Sequence, residues 1–443
     1  MAATFLESGR RAFAGGQAMN RLERAMVYLI PVLLVVAEVL ALTLDRSIAP
    51  HHALHPLNGQ LLFTATAATI ALMTTRRIEI GDLSGLTGLL AAVVLPVCYA
   101  FGARGLTLLS IFGECLWLAS LLLAARSVVA TRGEQRLQAL DLLVIRFALP
   151  VCLPLLQVML WIQSRHLATV YDLHFYAFDG LFGASVVKAV AIWVRSVPGL
   201  LTVLWAIYQS LVPAVALFVV LQRTEQGFVQ GKLLSRFLIA AALGYGIYAL
   251  MPGIGPMMTF IDVFPYGLPE AGTVVPGDFA EFDGAPRNAM PSLHTAWALL
   301  VFIAAWPMGP WLRVLGAVFL LGTMGATLSL GEHYLVDLIV AVPFVLVVEG
   351  VAANPFAPRQ RRPKLQAIAG GVAMVAVWLL AIRFGAVALQ GLPLVPWLMT
   401  VATLGLSLLL LVRLLAMPAP VAASPTTLPA ASRRAAGQWQ PVG

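Results

Sequence analysis

The sequence predicts an all-α, polytopic membrane protein of about twelve transmembrane helices, and three observations predict it. Of its 443 residues, 60% are hydrophobic and only 11% charged, more apolar surface than one soluble core can bury. Apolar runs near the ~20 residues that cross a bilayer recur along most of the chain. Lysine and arginine fall between those runs in an alternating pattern, as the positive-inside rule demands.

Taken in order, the runs lie near residues 26–44, 58–74, 84–101, 106–125, 142–162, 198–221, 234–251, 292–306, 314–330, 334–352, 366–383 and 394–416. Those near 58–74 and 292–306 are short, which allows a re-entrant geometry. Arg10, Arg11, Arg21 and Arg24 precede the first run. That pattern is shared with secretory signals, but the run from Met26 to Leu44 is long enough to stay as an uncleaved anchor. With the N-terminus inside, the cytoplasmic segments hold 20 of the basic residues and the outer ones 7, with Arg146 inside a span. Both termini then read as cytoplasmic.

Other features carry less. Cys98, Cys115 and Cys152 all sit in apolar runs and show no metal-ligand spacing. The net charge of +8 comes without a basic run interleaved with aromatics, so no nucleic-acid partner is expected. The cluster His51, His52 and His55 reads as a solvated loop, and the basic cluster Arg359–Lys364 follows from orientation alone. Two long connections fall outside, 163–197 and 252–291. The second is rich in Pro and Gly and reads as a structured loop. Asp172 and Asp179 in "YDLHFYAFDG" are seven apart and share a helix face, where they cap an interfacial helix or bind a head group. The tail after Pro418 is built of Ala, Pro, Ser and Thr and reads as disordered.

The chemistry concentrates in two stretches, "RNAMPSLHTAW" and "GEHYLVDLI". In the first, Pro291 suits the opening turn of a helix, and His294 follows it. Ser292, the free amides of that turn and the positive end of the helix dipole suit an anion such as phosphate. Arg287 is expected to add a bidentate contact. In the second, His333 and Asp337 are four apart and share a face at the start of a span. A carboxylate there fixes the imidazole tautomer and leaves the other nitrogen as a nucleophile. Either histidine alone is often an interfacial polar residue. The alternation of spans nevertheless returns His333 to the same side as His294, and an intramembrane carboxylate calls for a function.

"NAMPSLHTAW" with "HYLVD", together with "YALMPGIGP" and "DLHFYAFDGLFG", resembles the phosphatidic acid phosphatase type 2 superfamily. The resemblance covers about residues 165 to 350 and is greatest to the branch of inositol phosphorylceramide synthases and related bacterial phosphotransferases. It implies a helical catalytic core in the C-terminal half. It also implies a metal-independent reaction without cofactor, in which His333 forms a phosphohistidine, Asp337 orients and stabilises it, and His294 protonates the leaving oxygen and then activates the acceptor. The Ser-Arg pair that binds phosphate in phosphatases of the superfamily is replaced here by Ala326 and Thr327. No Lys/Arg-Pro segment precedes "PSLH". The synthase-like branch shares both losses.

The expected organisation is a cytoplasmic segment 1–25, N-terminal helices 26–162 of unassigned role, the catalytic core 163–352, two C-terminal helices 353–416 and the tail 417–443. The expected function is an inositolphosphotransferase-like transfer of a phosphoryl-linked head group. Its partners are a lipid phosphate donor and a lipid, alcohol or water acceptor, and it acts on the outer face of what is expected to be a bacterial inner membrane. The alternative is a phosphatase for lipid phosphates or polyprenyl pyrophosphates using the same triad. A secondary transporter is more distant, because it would show two related halves with broken helices at matching positions. An outer-face glycosyltransferase would want acidic residues where the first outer loop offers histidines.

Overall fold

In the computed structural model, residues 67, 68, 70–72, 80–103, 106–183, 185–225, 232–270, 272–280, 285–353 and 361–415 are described. The expected span 26–44, most of 58–74, the N-terminal arginines, the histidine cluster at 51–55 and the tail lie outside them.

After the helical residues 67, 68 and 70–72, the described chain forms three helices, α1 (Ile80–Ala100), α2 (Leu106–Ala130) and α3 (Gly133–His166). Leu83 packs with Ala119 and Leu123, and Ala91 with Ile111 and Cys115, so α1 and α2 zip through small and branched residues. Arg146 is buried on α3. It donates to the Ser120 carbonyl at 2.6 Å, while the Trp117 indole donates to the carbonyl of Arg146 at 2.7 Å. A buried guanidinium in an apolar helix must find such acceptors, so Arg146 pins α2 to α3. At its far end α3 reaches the rest of the protein through Gln163, which donates to the Tyr245 carbonyl at 2.9 Å.

The following chain forms β1 (Thr169–Val170), α4 (Asp172–Gly180), α5 (Val186–Ser196), α6 (Leu200–Gln209), α7 (Leu211–Glu225), α8 (Lys232–Leu250), the short α9 (Pro256–Thr259) and β2 (Phe279–Ala280). After them come α10 (Leu293–Ala305), α11 (Pro310–Leu330), α12 (Leu335–Ala352), α13 (Arg361–Leu380) and α14 (Leu394–Leu415). The two strands form an antiparallel ribbon that pairs Thr169 with Ala280 and Val170 with Phe279. It closes the long 252–291 connection back onto the start of α4.

Among the described residues, seven helices are long and apolar enough to cross a membrane. These are α1, α2, α8, α11, α12, α13 with its π-helical extension to Gly385, and α14. An eighth is reached if the pair α5 and α6, bent by 116°, counts as one broken span. The protein is thus a multi-pass helical membrane protein, but the described helices fall short of the twelve expected. Two of those expected, 26–44 and most of 58–74, lie outside the described residues, and the run 198–221 shows a second reason. Hydropathy sees one apolar stretch, whereas the backbone turns at Gly199, which has φ 78°, and breaks again at Ser210 between α6 and α7. The helix α10 has 13 residues, too few to cross unaided.

α12 is the axis of the core. It packs against α4, α8, α10, α13 and α14, and its residues from Val336 to Gly350 are buried apart from Val342. A Cβ on Gly371 of α13 would stand 2.6 Å from the Val347 side chain and 2.8 Å from the Pro343 carbonyl, so the missing side chain allows the close contact of α13 with α12. Aromatic rings continue the core outward: Phe178 meets Trp378 at 5.7 Å and Phe182 meets Trp397 at 5.1 Å. Toward its C-terminal end, α12 carries Glu349, paired with Arg236 of α8 at 2.7 Å.

Candidate active site

The turn between α11 and α12 holds the second expected stretch. Gly331 ends α11 in the left-handed conformation, φ 75°, the usual device for stopping a helix. The amides of Glu332 and His333 then both donate to the Thr327 carbonyl, at 3.0 and 3.3 Å. Because Leu335 is the first residue of α12, His333 precedes the helix instead of riding on its first turn. Its pairing with Asp337 survives through capping. Asp337 Oδ2 accepts the Tyr334 amide at 2.7 Å and so reaches back to within 3.4 Å of His333 Nδ1.

The tautomer follows from a different partner. His333 Nδ1 lies 2.9 Å from the Ala289 carbonyl. A carbonyl only accepts, so Nδ1 carries the proton and Nε2 presents its lone pair. Nε2 is buried and has no hydrogen-bond partner among the described residues, and neither has Asp337 Oδ1. Burial lowers the His333 pKa to about 4, which keeps the imidazole neutral near pH 7.

His294 sits in the first turn of α10. The N-cap of that helix is Ser292, not the preceding Pro291, and the Ser292 hydroxyl accepts the Thr295 amide at 3.2 Å. The Ser292 amide donates to the main-chain carbonyl of Asp337 at 3.2 Å, which stitches the start of α10 to the start of α12. Tyr208 of α6 stacks on the His294 ring with centroids 4.1 Å apart and planes 16° apart. The two histidine rings lie 6.1 Å apart. Three of the expected residues, His294, His333 and Asp337, therefore meet at one place.

The two expected phosphate ligands are placed otherwise. Arg287 is fully buried, and its guanidinium donates to the carbonyls of Leu167 at 2.9 Å and Ala285 at 2.6 Å. It braces the segment that ends in Ala289, the carbonyl that sets the tautomer. Ser292 is also fully buried and spends its hydroxyl on Thr295. In both positions the side chain has a structural task, Arg287 on main-chain carbonyls and Ser292 as the cap of α10.

α4 supplies what local spacing could not assign. Asp172 accepts the amides of Ile254 and Gly255, at 3.0 and 2.8 Å, and the Tyr334 hydroxyl at 2.9 Å. Asp179 accepts the amides of Leu335 and Val336 at 2.7 and 3.1 Å. The two carboxylates do cap, as their shared face implied, but they cap the 252–255 loop and α12 instead of their own helix. Gly255 has φ 85°, and a Cβ on it would run into the Glu332 carbonyl. The "PGIGP" loop thus lies directly against the turn that carries His333. On the opposite side of α4, His174, Asp278 and Arg383 form a cluster, with Arg383 2.9 Å from Asp278 and 2.7 Å from His174. It ties the π-helical end of α13 to β2 and was not foreseen, because its members are over 100 residues apart.

Searches of curated proteins and of solved structures found no match to the chain. His294, His333 and Asp337, with the clamp residue Asp179, all fall within residues 173–351, the stretch that matches the family model of the PAP2 superfamily, a group of phosphatases and phosphotransferases.

Proposed function

We propose that the protein is a membrane-embedded lipid phosphotransferase that moves a phosphoryl-linked head group, inositolphosphotransferase-like, through a phosphohistidine on His333. The observation that carries the reading is the buried, unpartnered Nε2 of His333, held in its nucleophilic tautomer by the Ala289 carbonyl. In the first step Nε2 bonds to phosphorus while the P–O bond to the leaving alcohol breaks, and His294 gives that oxygen its proton. The imidazolium character that develops on His333 is balanced by Asp337, 3.4 Å from Nδ1. In the second step His294 takes the proton of the acceptor hydroxyl, the acceptor oxygen bonds to phosphorus, and the N–P bond breaks. Neither step draws on a metal. The distribution of Lys and Arg supports an active site on the outer face and cytoplasmic termini.

The test is incubation of the purified full chain in detergent with labelled phosphatidic acid, phosphatidylinositol and a polyprenyl pyrophosphate. Each donor is offered with and without diacylglycerol or ceramide, in the presence of chelator, beside His333→Ala. The expected result is chelator-resistant head-group transfer that the substitution abolishes. Release of free phosphate alone would assign a phosphatase, and equal activity in the variant would remove His333 from the chemistry.

A further inference from the structure

Glu332, the residue immediately before the nucleophile, has no part in the mechanism above. Its backbone is fixed from two sides: its amide is bound to Thr327, and its carbonyl faces the Gly255 backbone. The side chain is half-buried, and its carboxylate has no hydrogen-bond or ion-pair partner among the described residues. Its charge is felt by His333 and by Tyr208, and Tyr208 stacks on His294. Glu332 is thus the neighbour of His333 on a fixed turn, on the side where Tyr208 covers His294.

Among the described residues, four cations near this end of the bundle are already committed. Lys188 donates to the Leu268 carbonyl and Glu270, Arg195 to the carbonyls of Ala191 and Ser329, Arg287 to two carbonyls and Arg383 to Asp278. A carboxylate left without a cation raises the free energy of any anion brought beside it, and does so about twice as much for a dianion as for a monoanion. A phosphate monoester becomes a dianion as pH rises through about 6, whereas a phosphodiester carries one charge at every relevant pH. The same carboxylate is a ready acceptor for a hydroxyl, which suits the polyol of a transferred head group or an acceptor alcohol.

On the footing of the function proposed above, we propose that Glu332 is a specificity-determining residue that disfavours phosphomonoester donors and accepts a hydrogen bond from a hydroxyl of the phosphodiester substrate. The test compares kcat/KM for His333-dependent turnover of phosphatidylinositol and phosphatidic acid by the wild-type full chain, Glu332→Gln and Glu332→Asp. Glu332→Gln is expected to raise the monoester-to-diester ratio at pH 7.5 by at least about tenfold and to flatten its dependence on pH between 5 and 8. Glu332→Asp, which keeps the charge, should hold the wild-type ratio. An unchanged ratio in Glu332→Gln, or loss of both activities together, overturns the selectivity role while leaving the histidine chemistry standing. Absence of any His333-dependent turnover in the wild type overturns the proposed function, and this inference with it.

Discussion

The carboxylate of Asp337 offers a perturbation whose magnitude the geometry sets in advance. In Asp337→Asn the side-chain oxygen must face the two donors now served by Oδ2, the Tyr334 amide and His333 Nδ1–H. The new NH2 then occupies the Oδ1 position, where no partner competes. The cap of α12 survives. So does the tautomer, because Nδ1 is anchored 2.9 Å away on the Ala289 carbonyl. What disappears is the negative charge 3.4 Å from an imidazole that, in the proposed mechanism, gains positive charge as the N–P bond forms. At that separation and an effective dielectric of about 20, the lost attraction is about 5 kcal/mol. The amide dipole returns part of it, leaving about 2–4 kcal/mol, or a fall of about 30- to 1,000-fold in kcat. In a catalytic triad where the aspartate also fixes the tautomer, the same change costs about 10,000-fold. Single-turnover transfer of the labelled head group measures the difference directly. A variant within threefold of wild type would refute the electrostatic role, and one as dead as His333→Ala would show that Asp337, not Ala289, holds the tautomer.

Three further outcomes are expected. Asp179→Ala should destabilise the protein by about 2–5 kcal/mol, since it strands the buried amides of Leu335 and Val336, and Asp179→Asn should restore a good part; thermal denaturation in detergent, followed by tryptophan fluorescence, reads both. Gly255→Ala forces a side chain into φ 85° against the Glu332 carbonyl and should lower transfer by more than about tenfold through displacement of the 331–333 turn, whereas Gly246→Ala, with open space around it, should be near neutral. Because burial lowers the His333 pKa from 6.5 to about 4, the nucleophile stays neutral down to that pH. The acid limb of kcat/KM from this group should therefore fall near 4, and stability should decline as pH drops through the window from 6.5 to 4, where the unfolded chain alone takes up the proton. A limb near 6.5 in the free enzyme would contradict the burial.

The meeting of His294, His333 and Asp337 was legible because its signals are local: a polar cluster opening an apolar run, and a histidine and carboxylate four residues apart. The reason given for the second signal was only half right. His333 is off the helix, and capping by Asp337 does what helical periodicity was expected to do. Spans with plain apolar runs, such as 84–101 and 394–416, were equally readable. The 116° bend between α5 and α6 was not, because hydropathy records the polarity of a run and is blind to the direction of its backbone. The roles of Asp172 and Asp179 were hidden for another reason. Their partners lie 82 to 162 residues away, and no window along the chain brings them together. The carbonyl partners of Arg287 were equally hidden, because one of them, Leu167, lies 120 residues away.

The axis helix α12 is fastened at both ends. At one end the carboxylates of Asp179 and Asp337 grip its opening turn, and at the other Glu349 is locked to Arg236. A rod clamped in this way can neither slide along its length nor rotate without breaking these hydrogen bonds and the Glu349–Arg236 ion pair. In the proposed reaction the phosphorus therefore comes to a histidine whose turn is held against a fixed rod, beside the sharply folded α5–α6 elbow that lays Tyr208 on His294.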